Sequence, residues 1–509
     1  MRFATAEKRN EAHRRLLKEC LPSKSVWRDA LDGKKAMGVK KLLVLVNPAA
    51  GKGKGVEAYE RDVAPVLACL EGVSCASGAG AGSGSGSGSV SGSAGSTLDV
   101  RITTRRGEAR DAAAAVDLDA YAAVVCVGGD GTLAEVFNGL MSRPDAVAKN
   151  AAAFPIGVVP AGSGNAVARS LAAITGEPCD RTSAALAIVR GNLVSLDRAE
   201  VKSQAALSSG GVHSLLSLSW GFFSDVDIES ERMRWLGGLR FTVQAVVRIL
   251  FLRRYEAKIR FRPLPAAVKS ETQTNDAGDD DDDDASGASA APSKQTTIAP
   301  CGTASDAHVA ARKAVADGAV AGTPIEGRPG WREISGDIQG LWALNLPWGA
   351  EDMHAAPGAE PGDGGYDVII VSGASRLALL GLLLVFDGGG HVGHPAVTYV
   401  KAAEFELDPG PSNTGRGGHV AVDGELVARS VASVAATAGA KGSGKRKREG
   451  ELLADDGGAG GGDEGGAEGV DARWQIPYGP MNLKVVRGAA RVFGAARPSA
   501  SGPGGGNVV

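Results

Sequence analysis

The sequence predicts an α/β domain built on a parallel sheet, followed by a second, mostly antiparallel β domain of sandwich-like character. Three observations carry this. Short apolar runs alternate with helical spacing between residues 41 and 173, glycine-bearing loops directly follow three of those runs, and after Asp197 the rhythm changes to successive strands. With 509 residues and 43% hydrophobic content, the chain can bury a core and hold two domains.

Residues 1–39 are polar, with a basic cluster at Arg14, Arg15 and Lys18, and read as a disordered leader or a frayed helix. Leu42 to Val46 is a continuous apolar run, the pattern of a strand buried on both faces. A Gly/Pro loop and helical spacing over Val56 to Leu70 follow. Leu98 to Thr103 is the second strand, Glu108 to Val116 an Ala-rich helix, Ala122 to Val127 the third strand and Leu133 to Met141 a helix. Ile156 to Val159 is the fourth strand and Ala166 to Ala173 another helix, an alternation that builds parallel sheets. In the second domain, Leu215 to Trp220 and Glu256 to Arg262 are candidate strands around a helix from about Ser230 to Leu252. Further strands are expected at Leu341 to Leu346, Val368 to Val371, Thr398 to Glu404, Val420 to Val422 and, closing the domain, Met481 to Val486.

The expected division is therefore 40–196 for the α/β domain and 197–495 for the β domain, with a disordered tail over 496–509. Three low-complexity inserts interrupt it: a Gly/Ser spacer at 77–96, a segment at 270–330 carrying the acidic tract Asp279 to Asp284, and one at 436–470 carrying Lys445 to Arg448. Their low apolar content cannot offset chain entropy, so mobile surface loops are expected. The acidic tract reads as a solvated loop, with cation or partner binding as the alternative. The basic tetrad reads as a chance cluster or a nuclear-import signal.

Lys and Arg number 55 against 58 Asp and Glu, a net charge of −3, so no nucleic-acid partner is expected and any electrostatic attraction must be local. The six cysteines form no C-x-x-C pair and no bridge or zinc framework, which fits a reducing compartment. The first 17 residues carry scattered charge and no apolar stretch, the pattern of neither a secretory signal nor an anchor. The longest apolar run, Leu377 to Phe386, is about half the ~20 residues a spanning helix needs. His391 and His394 stand without further ligands nearby and read as loop histidines; no metal-ligating set is predicted.

Three strand-to-helix loops carry the chemistry. Asn47 to Gly55 (NPAAGKGKG) follows the first strand and can turn backbone N–H groups and lysines toward a phosphate, although it contains no Walker motif; a plain connecting turn is the alternative. Gly128 to Thr132 (GGDGT) follows the third strand, and its glycines admit close approach of a phosphate. Asp130, at the carboxyl end of a parallel strand, is a candidate base or, alternatively, the N-cap of its own helix. Pro160 to Asn165 (PAGSGN) repeats the design after the fourth strand. Together they describe a nucleotide cleft lined by backbone amides.

The run GGDGTLAEVFNGL with PAGSGN and NPAAGKGKG resembles the diacylglycerol-kinase catalytic superfamily, and Leu218 to Phe241 (LSWGFFSDVDIESERMRWLGGLRF) with HVAVDGEL narrows the resemblance to the sphingosine (long-chain base) kinases. It covers most of Lys41 to Val492. The resemblance implies a Rossmann-like first domain of the NAD-kinase and diacylglycerol-kinase type, and transfer of a phosphate from ATP, with Mg²⁺, to the primary hydroxyl of a sphingoid base. It implies Asp130 as general base. It implies nucleotide contacts from Asn47, Pro48, Gly51, Lys52 and Gly53, from Thr103, Arg105 and Arg106, and from Gly129, Gly131 and Glu135. Gly162, Ser163, Gly164, Arg234, Arg240, Asp423, Gly424 and Glu425 complete the implied nucleotide set. Asp227 corresponds to the residue that receives the sphingoid amine, and Gly128, where animal members often carry Ser, lies at the implied substrate side.

The chemistry fits these residue types. Phosphoryl transfer needs positioning and charge neutralisation more than covalent chemistry, and a carboxylate pairs with an ammonium head group but not with an amide or ester. From pattern alone Asp227 is equally a solvated carboxylate or a helix N-terminal charge. Leu377 to Phe386 is either a core helix or, as the resemblance implies, part of the acyl-chain pocket. Competing readings are a ceramide or diacylglycerol kinase, an NAD kinase, which leaves Leu218 to Phe241 unexplained, and a non-catalytic membrane-associated relative, which predicts loss of Asp130 or the loop glycines. A cytoplasmic protein in peripheral membrane contact is expected, with nuclear placement as an alternative and the oligomeric state open.

Overall fold

The computed structural model describes residues 25, 27, 40–73, 98–206, 210–236, 239–264, 302–410, 418–429 and 475–494. The first half begins with β1 (Lys41–Val46), a helical stretch over 50–73, β2 (Leu98–Ile102), α1 (Glu108–Ala115), β3 (Tyr121–Gly128), α2 (Asp130–Met141), β4 (Ile156–Pro160), α3 (Ala166–Thr175) and α4 (Arg181–Arg190). β1 pairs in parallel with β2 and β3, and β3 with β4, as the alternation predicts. Leu42 to Val46 are buried, because helices cover both faces of the sheet. Phe137 on α2 is fully buried and meets His213 edge to face, which seats that helix, and Asp130 at its start, against the sheet.

The second half contains β5 (Leu193–Ser203), β6 (Val212–Ser214), β7 (Ser217–Gly221), α5 (Phe222–Ser230), α6 (Leu239–Leu250) and β8 (Tyr255–Pro263). It continues with α7 (Gly302–Gly318), β9 (Thr323–Pro324), β10 (Arg332–Leu344), β11 (Tyr366–Ser372), α8 (Arg376–Val385), β12 (Val397–Asp408), β13 (His419–Val422), β14 (Glu425–Arg429) and β15 (Met481–Phe493). These strands pair antiparallel. The long strands β10 and β12 change partners midway: each pairs with β8 along one half and β11 along the other, which curls the sheet around an aromatic and aliphatic core that includes Trp220, Tyr255, Phe261 and Phe405.

The two halves share one fifteen-stranded sheet, because β15 pairs along its length with β5, at one end with β12, and in parallel with β4 through Val492 and Ile156. The residue 196/197 boundary thus falls inside β5. The pairing of β5 with β15 is interrupted between Val486 and Ala490, where buried Asp197 accepts the N–H of Gly488 at 2.5 Å and of Gly364 at 2.7 Å.

The structure corrects several expectations. The helix expected over about 230–252 starts as a 3₁₀ turn over Glu231–Leu236 and becomes α-helical only in α6, while α5 (Phe222–Ser230) precedes it and was not expected; the sequence places Gly237 and Gly238 before α6, and glycine is a poor helix former. Residues 302–330, assigned to a mobile insert, hold α7 and β9: Ala307, Ala311 and Val315, spaced four apart, bury one face of the helix. Within the expected leader, Trp27 is buried, donates its indole N–H to the Ile188 carbonyl at 2.7 Å and stacks on Phe493. The rest of the leader, the spacer 77–96, the acidic tract, the 436–470 insert and the 496–509 tail lie outside the described residues.

Phe137→Ala removes a fully buried ring between α2 and the sheet. It should cost about 3–5 kcal/mol, read as a lower urea midpoint in chemical denaturation.

Candidate active site

The three glycine loops meet at the carboxyl edge of the parallel strands. Asn47 ties the first to the second: its Oδ1 accepts the Ala49 N–H at 3.0 Å and its Nδ2 donates to Thr132 Oγ1 at 3.2 Å. Gly51, Lys52 and Gly53 all have left-handed backbone angles, and a Cβ on Gly51 would press on the Ala161 carbonyl at 2.8 Å. Pro48 is half-buried and Lys52 exposed at the rim. The second and third loops touch backbone to backbone: Gly128 accepts the Ala161 N–H at 2.9 Å, and a Cβ on Gly162 would run into the Cα of Gly129. Asn165 braces the third loop by bonding both the N–H and the carbonyl of Gly162, while Ser163 is exposed.

Asp130 does not cap its own helix. Its half-buried carboxylate accepts the N–H groups of Ala166 (2.9 Å) and Val167 (3.1 Å), the first turn of α3. Loss of hydration pushes its pKa above the ordinary aspartate value, against the stabilising pull of those amides. Glu135, also on α2, plays the same part for α1: it accepts the Gly107 N–H at 2.9 Å and so holds the turn that carries Arg105 and Arg106. Burial raises its pKa as well.

That turn divides its arginines. Thr103 is fixed by its backbone N–H to the Val46 carbonyl. Arg105 pairs with Asp111 on α1, whereas Arg106 reaches across to Glu425 of the second half and forms an ion pair with it.

The Asp423-Gly424-Glu425 turn between β13 and β14 is the meeting point. Asp423 faces inward and is 4% exposed: it accepts from Ser214 Oγ (2.6 Å) and from the N–H groups of Leu215 (2.9 Å), Leu216 (3.0 Å) and Ser217 (2.8 Å). Both oxygens are consumed in that pocket. Its φ of 51° is left-handed, a strain that the four bonds over-determine. Gly424 and Glu425 instead face the site. The Asp227 carboxylate lies 3.9 Å from where a Cβ on Gly424 would sit, and the Glu425 carboxylate lies 3.0 Å from the corresponding point on Gly131. Asp130 Oδ2 lies 3.0 Å from that point on Gly164, so Asp130 lies beside the third loop, Glu425 beside the second and Asp227 beside the 423–425 turn.

Asp227 sits half-buried on α5. Arg240, in the first turn of α6, lies over the Phe241 ring at 4.4 Å. The side chain of Arg234 lies outside the described residues. Sequence reasoning passed over Glu351, whose Oε2 accepts from Asn165 Nδ2 at 3.2 Å and so brings a second-half carboxylate to the third loop; no motif marks it. It also passed over the inward-facing acid of the D-V-D triplet, Asp225, which a helical wheel over 222–230 separates from Asp227. Among the described residues, Asp225, Glu229 and His419 are the group spaced to hold a metal, but Arg253 Nη1 already contacts both carboxylates.

Helix α8 is neither a core helix nor wholly buried. Leu379 and Leu382 pack inward, while Leu377 (83% exposed) and Leu384 (78%) face outward, and Leu239, Leu250 and Phe251 of the α6 region are exposed as well. The Arg376 side chain joins the two helices through the Leu250 carbonyl. No helix of the described residues is long and apolar enough to cross a membrane.

Residues 87–201 match the diacylglycerol kinase catalytic domain family, and residues 343–440 match the YegS C-terminal NAD kinase beta sandwich-like domain family. The chain is 34% identical over 392 residues to sphingosine kinase 1 of Arabidopsis thaliana, covering 77% of this chain and 69% of the relative. It is 30% identical over 398 residues to sphingosine kinase 1 of Homo sapiens, covering 76% and 86%. The crystal structure of a diacylglycerol kinase from Bacillus anthracis superposes with a TM-score of 0.46 at 15% identity, covering 90% of this chain and 97% of that chain.

Asp423→Ala leaves a buried hydroxyl and three N–H groups without their acceptor. It should destabilise the protein by about 3 kcal/mol or more in urea denaturation, with Asp423→Asn intermediate because one carbonyl acceptor remains.

Proposed function

This chain belongs to the sphingosine kinase family, and from that membership we infer that it transfers the γ-phosphate of ATP to the primary hydroxyl of a sphingoid long-chain base. The observation that carries the assignment of roles is the turn at 423–425, which lies against the Asp130 loop on one side and the Asp227 carboxylate on the other. A base and an amine receptor on one crevice suit a lipid that carries a hydroxyl and an ammonium group a few bonds apart.

In this reading Asp130 takes the proton of the lipid hydroxyl as its oxygen attacks the γ-phosphorus, and ADP departs with the electrons of the broken phosphoanhydride bond. The raised pKa of Asp130 matches its task, since a stronger base accepts the proton more readily. The exposed Lys52 and the arginines Arg106 and Arg240 supply positive charge around the phosphates, and Mg²⁺ enters as the magnesium salt of the nucleotide. The amides of the three loops give further donors at the strand ends. Asp227 pairs with the ammonium, which distinguishes a sphingoid base from the uncharged head groups of ceramide and diacylglycerol.

The outward apolar faces of α6 and α8 support a peripheral membrane contact, with the crevice drawing substrate from the bilayer surface. Both helices border the buried cluster of Ile249, Leu252, Leu379 and Leu382, so the apolar surface continues from outside to inside.

Asp130→Asn should lower kcat by about 10²-fold or more in a sphinganine phosphorylation assay, the range that general-base catalysis supplies. In the unmodified enzyme kcat should fall with decreasing pH as Asp130 protonates, at a pH above the ordinary aspartate range because its pKa is raised. Retention of more than about a tenth of wild-type kcat by the Asn variant would remove Asp130 from the role of base.

Leu377→Glu combined with Leu384→Glu should weaken co-sedimentation with phosphatidylcholine vesicles by at least about tenfold, since each buried leucine is worth about 1.5–3 kcal/mol. Activity toward detergent-dispersed sphinganine should be kept.

A further inference from the structure

The two acids of the D-V-D triplet face opposite ways, because two residues turn a helix through about 200°. Asp227 borders the 423–425 turn, while Asp225 points into the protein and is 1% exposed. Asp225 Oδ2 accepts from Arg253 Nη1 at 2.8 Å and from the Tyr255 hydroxyl at 2.9 Å. Its Oδ1 contacts His419 Nδ1 at 2.7 Å and accepts the His419 N–H at 3.2 Å. One turn further on, Glu229 accepts from the same Arg253 nitrogen at 3.2 Å and from Gln244 at 2.8 Å, and pairs with Arg248 at 2.7 Å.

The network therefore clamps the inner face of α5 at two successive turns. Its partners come from three segments around that helix: Gln244 and Arg248 from α6, Arg253 and Tyr255 from the entry to β8, and His419 from the start of the strand that runs into the 423–425 turn. What they fix is its rotation and its height over the sheet.

We propose that Asp225 and Arg253 are positioning residues for substrate recognition: their buried ion pair locks α5 so that Asp227, on its opposite face, meets the sphingoid ammonium in register with Asp130. The proposal rests on the assignment of Asp227 to the amine. Removing one partner of a buried pair leaves the other charge uncompensated and lets the helix shift, and a displacement near 1 Å is enough to spoil a charged contact.

The test is a steady-state double-mutant cycle with Asp225→Asn, Asp227→Asn and the double variant of the full chain, measuring kcat and KM for sphinganine and KM for ATP. Asp225→Asn should raise the sphinganine KM about tenfold while kcat at saturating lipid and KM for ATP stay within about twofold. The double variant should be no worse in sphinganine KM than Asp227→Asn alone, because both changes remove one interaction. An unchanged sphinganine KM in Asp225→Asn, a parallel loss in kcat and both KM values, or effects that add in the double variant would overturn the proposal. If Asp227→Asn itself leaves the sphinganine KM unchanged, the amine assignment fails; if only Asp225→Asn does so, the positioning role fails and the amine assignment stands. Should Asp225→Asn not fold, Arg253→Lys, which keeps the charge but loses the planar fork, is judged by the same criteria.

Discussion

A single saturated carboxylate holds the site together. Burying an ionised aspartate is costly unless its oxygens are fully bonded, and Asp423 meets that condition with one hydroxyl and three successive backbone N–H groups from the β6–β7 connection. The consequence is a three-residue turn with almost no freedom. Its middle residue abuts the acid on α5, and its last residue crosses to the arginine of the nucleotide-binding half. The spacing between the Asp227 carboxylate and the Arg106 turn is set there.

The same economy of acids appears on α2. Asp130 bonds the first turn of α3 and Glu135 bonds the turn before α1, so one helix fixes the starts of its two neighbours. Helix starts carry partial positive charge, and a carboxylate set against them remains available as an anion even where loss of hydration opposes ionisation. For Asp130 the hydration loss prevails, which leaves a base stronger than a free aspartate but still oriented by two amides. Orientation thus comes from the two amides and basicity from burial, which acts against them.

Much of this was legible from residues alone, and the limits have physical causes. The parallel strands were legible because two-sided burial leaves unbroken apolar runs, as in Leu42 to Val46, and the three loops because close backbone approach admits only glycine, as at Gly129 and Gly162. The sorting of acids was not legible. Asp423 and Asp227 are both exposed-looking aspartates in a motif, and which one faces inward depends on donors 206 or more residues away in the chain for Asp423. Arg105 and Arg106 are adjacent in sequence, yet one pairs with Asp111 on α1 and the other with Glu425 of the second half. Helix α7 was missed because its buried face is made of small residues, Ala307, Ala311 and Val315, set in a polar stretch whose composition resembles a linker. The role of β15 as the seam between halves was also hidden, since periodicity reveals a strand but not its partner.

That seam bears on how the protein is made. β5 finds its long antiparallel partner only when residues 481–493 have been synthesised, and β4 gains its second neighbour at the same moment. At ribosomal speeds of about 5–20 residues per second, β5 waits roughly a quarter of a minute to a minute with its backbone hydrogen-bonding groups unmatched on that side. During that interval the nascent chain presents open strand edges of the kind that chaperones shield and that other chains can join. Chains of this enzyme can therefore join one another through these edges until β15 emerges, and slower translation lengthens that interval.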